Sequence, residues 1–351
     1  MWPKVGRWEA AADILVIRLS ALGDVAMLVP VLRVVTAAYP EVKITVLTRG
    51  FLKPLFEDIT NVTTLTAEVK GTHKGVFGLF RLSKESKNLG VTCVADTHNV
   101  LRSKIIRMLL WFRGLETAKI DKGRAKKKQL TQAKGGDIKP LKKTHQRYAD
   151  VFTKLGFPID LKKHQFPLRK VLSPKTQKLI QSSSKKCIGV APFAAHKGKM
   201  YPLHLMKVVL KELSISGRYS IFLFGGGASE IRQLDTLAGS FPGVTNMAGK
   251  LSFTEEIALI SNLDVMLAMD SGNGHLAALY EIPVITIWGV THPYLGFAPF
   301  KQPNENQLIA DRVQYPLVPT SVYGNRCPDG YEKAIESVST SLVVEKVRAV
   351  L

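Results

Sequence analysis

Residues 13–30, DILVIRLSALGDVAMLVP, decide the class of fold. A short apolar run, residues 14–17, ends in a turn around Gly23 and Asp24, and a second apolar segment continues to Pro30. This pattern predicts a buried strand, a glycine turn and a helix. Because open α/β sheets form their sites where strands end, two roles are open to Asp24: a cap on the helix, or a general base facing a cleft.

Strand and helix patterns alternate along the rest of the chain in two series. The predicted strands are residues 14–17, 43–48, 62–65, 91–96, 187–191, 219–224, 265–269 and 284–288. Strands that alternate with helices predict parallel sheets. We therefore expect an α/β protein with two Rossmann-like domains whose parallel sheets face each other across a cleft.

A polar stretch rich in Ser and Lys, residues 171–186, separates the two series and predicts a linker. We expect residues 1–170 to form an N-terminal domain and residues 187–330 a C-terminal domain. In this scheme a lysine-rich insertion near 119–147 belongs to the first domain. Residues 331–351 are expected to be helical, with packing back on the N-terminal domain as one option.

Composition points to an anionic partner. The formal net charge is +21, and residues 101–170 hold 20 lysines and arginines against 5 acidic residues. Three widely spaced cysteines form no disulfide or metal-binding pattern. We see no signal peptide and no apolar run of about 18 residues that would span a bilayer. We expect a cytoplasmic protein, with peripheral contact to a membrane as one option.

The lysine-rich residues 119–147 contain no aromatic side chain. A mobile or partly ordered solvated loop is one interpretation, whereas nucleic-acid binding would favour aromatics among the lysines. The preceding residues 105–113, IIRMLLWFR, are apolar with basic flanks, as interfacial helices are. Ordinary core packing is the alternative for these apolar side chains.

Four motifs in the second half each follow a predicted strand. They are residues 192–202 (PFAAHKGKMYP), 225–230 (GGGASE), 269–275 (MDSGNGH) and 288–293 (WGVTHP). The first would suit a phosphate held by Lys197 or Lys199, and the second a ribose. The third would suit a pyrophosphate at a helix N-terminus, and the fourth a nucleotide base. Each also has a purely structural explanation, as a basic loop, a tight turn, a helix start or a Pro/Gly loop.

Taken in order, ILVIRLSALGDVAMLVPVL, KMYP, GGGASE, DSGNGHLAA and WGVTHP resemble the heptosyltransferase family, glycosyltransferase family nine, over nearly the whole chain. The resemblance implies a GT-B fold and an inverting, metal-independent transfer of heptose from ADP-heptose in lipopolysaccharide core synthesis. It implies an anionic, lipid-linked glycan acceptor, contact with the inner membrane surface and no nucleic-acid partner. No cofactor is implied beyond the nucleotide-sugar donor, which is a substrate.

The resemblance also implies residue roles. Asp24 corresponds to the general base that deprotonates the acceptor hydroxyl, and Lys199 to the partner of the donor diphosphate. Glu230 corresponds to the ribose contact and Asp270 to a contact with the donor sugar. The other expected donor contacts are Ser271, Gly272, Asn273, His275 and Thr291, and the expected acceptor contacts are Ser20, Gly23, Arg102 and Lys104. No metal ligand is expected.

Two other functions stay open at this point. A nucleotide-sugar epimerase or hydrolase on the same scaffold would turn over the donor without any acceptor. A basic nucleic-acid-binding protein would bind DNA or RNA in a salt-sensitive way and would have no affinity for nucleotide-sugars.

Overall fold

The computed structural model describes residues 12–133, 135–181 and 185–351. Within these ranges the strands are β1 (Asp13–Ile17), β2 (Lys43–Thr48), β3 (Val62–Thr66), β4 (Cys93–Asp96), β5 (Glu116–Lys119), β6 (Lys186–Ala191), β7 (Tyr219–Leu223), β8 (Val244–Asn246), β9 (Val265–Met269), β10 (Val284–Trp288) and β11 (Gln307–Ile309). The α-helices are α1 (Leu22–Ala26), α2 (Val29–Ala38), α3 (Gly75–Asn88), α4 (Leu101–Trp111), α5 (Arg124–Leu130), α6 (Thr144–Lys154), α7 (Pro174–Gln181), α8 (Leu203–Ile215), α9 (Ala228–Ala238), α10 (Phe253–Ser261), α11 (Gly272–Ala278) and α12 (Thr340–Val350). Short 3-10 turns lie at Gly50–Leu55, Leu161–Lys163, Lys197–Lys199, Pro293–Leu295, Asn304–Asn306 and Ala334–Ser337.

These elements form two compact units. The first unit contains the described residues as far as Lys122 together with Thr144–Gln165, and the second contains Gly123–Lys143 and Phe166–Leu351. Each unit has one parallel sheet, with strand order β3-β2-β1-β4-β5 in the first and β11-β10-β9-β6-β7-β8 in the second. The expected α/β class with two Rossmann-like units, the GT-B fold, is confirmed.

The centre of the first sheet is β1, in which every residue from Ile14 to Ile17 is fully buried. Helices cover both faces of a parallel sheet, so its central strands are continuously apolar. Core side chains from α3 and α4, among them Leu82 and Ile106, pack with Leu15 of β1. The rigid strand therefore holds residues 18–24 at the carboxyl edge of the sheet.

The second sheet is covered on one face by α8 and by the C-terminal helix α12. Met206 of α8 and Val343 and Val347 of α12 share one apolar core with the sheet. In addition, the hydroxyl of Tyr201 donates a hydrogen bond to the carbonyl of Val338, at 2.7 Å. These contacts make residues 331–351 part of the second unit.

The lysine-rich insertion is also assigned to a different unit than expected. Residues 123–143 belong to the second unit, and α5 gives part of this segment a regular structure. The ammonium of Lys127 lies 3.6 Å from the ring centroid of Phe297, and the amide of Leu141 donates to the carbonyl of Tyr294 at 2.9 Å. We expected the segment in the first domain because of its position in the sequence, whereas these contacts attach it to the second unit.

The predicted linker is partly helical. Helix α7 lies within residues 171–186, and the ammonium of Lys175 donates to the carbonyl of Lys250 at 2.7 Å. Hydrogen bonds of this kind make the segment part of the second unit rather than a free connection. Residues 182–184 of the predicted linker lie outside the described residues.

In the part of the chain that the structure describes, no helix is both long and apolar enough to cross a bilayer. The stretch in which we saw no signal peptide includes residues 1–11, which lie outside the described residues.

Candidate functional site

An ion pair stands where β1 ends. The guanidinium of Arg18 lies 2.5 Å from Oδ2 of Asp24, and the exposed fractions of the two side chains are 6% and 33%. The residue before α1 is Ala21, and among the described residues no side-chain hydrogen bond caps the helix at this position. Of the two roles left open for Asp24, the structure therefore does not support the helix cap. The carboxylate is paired with an arginine and keeps part of its surface open.

Arg18 is itself held firmly. Its guanidinium donates to the carbonyl of Thr97 at 2.8 Å and lies 5.7 Å from the ring centroid of Tyr148. The hydroxyl of Tyr148 then donates to the backbone carbonyl of Asp24 at 3.2 Å. Because both the side chain and the backbone of Asp24 are fixed by these neighbours, the carboxylate has a defined orientation.

A buried histidine that interacts electrostatically with this pair, His98, is neutral at physiological pH. The pKa of His98 is lowered to about 3, mainly by burial and to a smaller extent by the positive charges of Arg18 and Lys122. Its Nδ1 accepts a hydrogen bond from the amide of Leu19 at 3.4 Å. A neutral imidazole in this place supports the turn and adds no charge beside Asp24.

The expected acceptor contacts lie along the same edge of the first sheet. Ser20 and Gly23 are half-buried beside Asp24, and Arg102 and Lys104 are exposed on the first turn of α4. Strands β1 and β4 are neighbours in register, so α1 and α4 both begin at the carboxyl edge. The structure gives these two cations the access that an anionic ligand would need.

A second ion pair lies in the second unit. The ammonium of Lys199 is 2.7 Å from Oδ2 of Asp270 and 3.1 Å from the backbone carbonyl of the same residue. The buried hydroxyl of Thr291 donates to that carboxylate oxygen at 3.1 Å. Three residues from three separate predicted motifs are thus brought together at the carboxyl ends of β6, β9 and β10.

Glycines allow the loop that carries Lys199 to pack closely against its neighbouring loops. Gly324 has φ +76°, and a Cβ atom there would overlap the aliphatic chain of Lys199. A Cβ at Gly289 would overlap the carbonyl of Gly198, which accepts a hydrogen bond from the amide of Val290 at 3.0 Å. The loop that carries Lys199 therefore depends on small residues on both neighbouring loops.

The expected donor residues of the third motif surround the start of α11. Ser271 precedes the helix, and Gly272 and Asn273 form its half-buried first turn. His275 is buried on the next turn. A Cβ at Gly274 would lie 3.2 Å from Cγ1 of Val284, which shows why the turn stays close to β10. Ser271, Gly272 and Asn273 directly follow Asp270, so this turn begins beside the Lys199–Asp270 pair.

Glu230 borders a cavity of about 490 Å³. The walls include Phe193, Met200 and Lys197. Oε2 of Glu230 accepts a hydrogen bond from the amide of Gly226 at 2.8 Å, which holds the carboxylate over the glycine turn. Phe193 and Ala194 form an apolar part of the wall of this cavity.

Some features of the site were not predicted. Arg18 and Tyr148 were missed, although a charged residue directly after an apolar strand is a usable signal for Arg18. Tyr148 gave no local signal, since its contact with Asp24 spans more than a hundred residues. Thr291 was expected to contact the donor directly, but it is fully buried and its hydroxyl is hydrogen-bonded to Asp270.

Comparison with known proteins decides the family. The model of glycosyltransferase family 9 (heptosyltransferase) matches residues 120–321, more than half of the chain. The chain belongs to this family. It is therefore a glycosyltransferase of family 9, and the resemblance seen in its motifs is confirmed.

Individual relatives agree with the family 9 assignment. The chain is 25% identical over 364 residues to lipooligosaccharide heptosyltransferase 2 of Haemophilus influenzae, covering 97% of this chain and 99% of the relative. A glycosyl transferase family 9 structure from Veillonella parvula has a TM-score of 0.76 at 17% identity, covering 97% of this chain and 98% of the other. The E. coli ADP-heptose lipopolysaccharide heptosyltransferase II has a TM-score of 0.69 at 19% identity, covering 96% and 98%. The two structural similarities establish the shared fold.

Proposed function

We propose that this family 9 enzyme transfers heptose from ADP-heptose to a phosphorylated, lipid-linked glycan acceptor during synthesis of the lipopolysaccharide core. The reaction inverts the anomeric configuration and uses no metal ion. The observation that carries the proposal is the pair of fixed carboxylates, Asp24 next to Arg18 and Asp270 next to Lys199, each at the carboxyl end of a parallel sheet. The heptosyltransferase relative and the E. coli enzyme named for ADP-heptose support the choice of donor.

Acceptor activation is assigned to Asp24. Its carboxylate takes the proton of the acceptor hydroxyl while the oxygen attacks the anomeric carbon from the face opposite the leaving diphosphate. The bond between the anomeric carbon and the diphosphate oxygen breaks, so the configuration inverts and ADP departs with the bonding electrons. Arg18 orients the base, and the exposed third of the Asp24 side chain leaves room for the hydroxyl.

Stabilisation of the leaving group is assigned to Lys199 and the first turn of α11. A fixed ammonium and backbone amides can offset the charge that develops on the diphosphate, which is the work that a metal ion performs in other transferases. Asp270 both holds Lys199 and offers its carboxylate to hydroxyls of the donor sugar. Thr291 acts through Asp270 by fixing the carboxylate.

The nucleoside is assigned to the 490 Å³ cavity beside Glu230. Its size suits a nucleoside, because pockets of a few hundred Å³ enclose ligands of that class. Phe193 and Met200 offer apolar surface to a base, and the carboxylate of Glu230 can accept hydrogen bonds from ribose hydroxyls.

Peripheral membrane contact is assigned to one face of α3 and α4. Phe77 is 92% exposed, and Phe80, Trp111 and Phe112 are exposed as well. The guanidinium of Arg113 lies 5.0 Å from the ring centroid of Phe80, which links the two helices. Exposed aromatics with adjacent cations fit an anionic bilayer surface. The double variant Phe77→Ser, Phe112→Ser should cosediment less with vesicles of phosphatidylglycerol than the wild type does. Leu168→Ser, at an exposed position of the second unit, is the control and should bind the vesicles as the wild type does. Equal binding by all variants would contradict this assignment.

The proposal is tested by incubating the enzyme with ADP-heptose and a deacylated, phosphorylated inner-core oligosaccharide. We expect a product one heptose larger, with an anomeric configuration opposite to that of the donor by NMR and a rate unchanged by EDTA. Release of ADP at the same rate without the acceptor would favour the hydrolase alternative. Retention of configuration would contradict the assigned mechanism.

A further inference from the structure

A second cavity of the second unit, of about 610 Å³, lies between α5 and the loop formed by residues 320–326. Four cationic side chains line it, and no acidic residue is among the described residues that do so. The cationic residues are Arg124, Lys127, Lys128 and Arg326. This cavity shares no lining residue with the 490 Å³ cavity beside Glu230.

The helix concentrates three of these charges. Arg124, Lys127, Lys128 and Thr131 follow the spacing i, i+3, i+4 and i+7, which puts them on one side of α5. Lys127 is buried, with its ammonium 3.6 Å from the ring centroid of Phe297, and so anchors the helix. Arg124 and Lys128 are exposed at the cavity.

Within the described residues, these exposed cations have no acidic partner. Among residues 12–133, 135–181 and 185–351, no carboxylate forms an ion pair with Arg124, Lys128 or Arg326. Like charges held together repel one another, and a bound anion removes that repulsion. The arrangement therefore favours a ligand with concentrated negative charge.

The opposite wall is a rigid loop that also contacts Lys199. The amides of Thr320 and Ser321 both donate to the carbonyl of Val290, and Oγ of Ser321 accepts from the amide of Gly324 at 3.0 Å. Gly324 packs against the aliphatic chain of Lys199. The same short loop thus borders both the basic cavity and the proposed diphosphate site.

The cavity is much larger than a phosphate ion. Its other lining groups include hydroxyls and amides, such as Thr131, Gln132 and Asn325, and the exposed ring of Tyr323. Amides and hydroxyls bind sugar hydroxyls, and an aromatic ring offers a flat apolar surface to a sugar face. Arginine and lysine together suit a phosphate.

We propose that this cavity binds a phosphomonoester carried by a saccharide, and that in catalysis it holds the phosphorylated part of the acceptor glycan. The identity of that saccharide rests on the proposed function. The lysine-rich insertion then has a specific role, because α5 supplies acceptor-binding cations to the unit that carries Lys199.

The test is calorimetric binding of a deacylated, phosphorylated inner-core oligosaccharide and of the same oligosaccharide after phosphatase treatment. The double variant Arg124→Ala, Lys128→Ala should bind the phosphorylated form at least tenfold more weakly and leave ADP affinity unchanged. Lys126→Ala is the matched control, because Lys126 is an exposed lysine of α5 that does not line the cavity. We expect wild-type affinity from this control.

Three results would overturn the inference: equal affinity of the double variant and the wild type, an equal loss in Lys126→Ala, or inorganic phosphate binding as tightly as the phosphorylated saccharide. Failure of the proposed function is separable. If heptose is not transferred but binding of the phosphorylated saccharide still depends on Arg124 and Lys128, the proposed reaction is wrong and the proposed binding site stands.

Discussion

The ammonium of Lys199 lies 2.7 Å from the carboxylate of Asp270, and the exposed fractions of the two side chains are 15% and 6%. A mostly buried pair of this kind is strongly destabilised by the removal of one partner, because the other charge is left without compensation. The pair is therefore both a structural element of the second unit and the proposed contact between the enzyme and the donor diphosphate.

Lys199→Ala should weaken ADP-heptose binding at least tenfold, measured by calorimetry, because a charge-assisted contact with the diphosphate is lost. Lys186→Ala is the matched control: Lys186 pairs with Asp264 at 3.1 Å in the same unit and is more exposed. We expect no change in donor affinity from the control. Unchanged affinity in Lys199→Ala would remove Lys199 from the donor site.

Gly324→Ala should also weaken donor binding several-fold, because the new methyl group displaces the chain of Lys199. Gly330→Ala is the control for backbone strain. Gly330 has φ +81°, but a Cβ atom added there would have no described neighbour within 4 Å. Both variants should lose about 1 kcal/mol of stability from the left-handed backbone conformation. Equal donor affinity in the two variants would show that Gly324 does not position Lys199.

Arg18→Ala should lower kcat at least tenfold and leave the Kd for ADP-heptose unchanged, because Arg18 pairs with the proposed base whereas the proposed donor contacts belong to the second unit. It should also cost about 2 kcal/mol of stability through loss of a largely buried partner, and Arg18→Lys should restore part of kcat. Arg33→Ala is the control, as Arg33 pairs with Asp58 at 3.0 Å in the same unit. A loss of kcat of the same size in the control would contradict the positioning role.

The folded protein should lose stability as the pH falls below about 6.5. His98 has a pKa of about 3 in the folded state, lowered mainly by burial, against an unfolded value near 6.5. Between these values the unfolded state binds one more proton, so the free energy of unfolding falls with falling pH, by on the order of 3 kcal/mol between pH 6.5 and 4.

Denaturant titrations at several pH values would measure this slope. His98→Gln should flatten it, whereas His204→Gln, at an exposed position, should leave it unchanged. His292, whose pKa burial lowers to about 4, should contribute in the same direction. Identical slopes for wild type and His98→Gln would contradict the assignment.

The sequence predicted the framework well because its signals are local. Strands such as Val265–Met269 and Val284–Trp288 are short apolar runs bounded by turns, and they occur within the predicted residues. The three-residue strands Val244–Asn246 and Gln307–Ile309 were missed because they are too short for periodicity.

The unpredicted parts depend on contacts between distant residues. Helix α5 has a lysine-rich sequence without an apolar stripe, and its place is decided by the contact between Lys127 and Phe297. In the same way, Asp24 taken alone could be a helix cap, and the hydrogen bond from Tyr148 to its backbone joins residues more than a hundred positions apart.

The most direct test of the central claim is the rate of heptose transfer by Asp24→Asn, measured with saturating ADP-heptose and acceptor. We expect a fall in kcat of about 10²–10⁴-fold, the usual contribution of a general base, with the Kd for ADP-heptose unchanged and wild-type activity in the control Asp58→Asn. Wild-type kcat in a folded Asp24→Asn enzyme would show that Asp24 is not the base and would contradict the proposed mechanism.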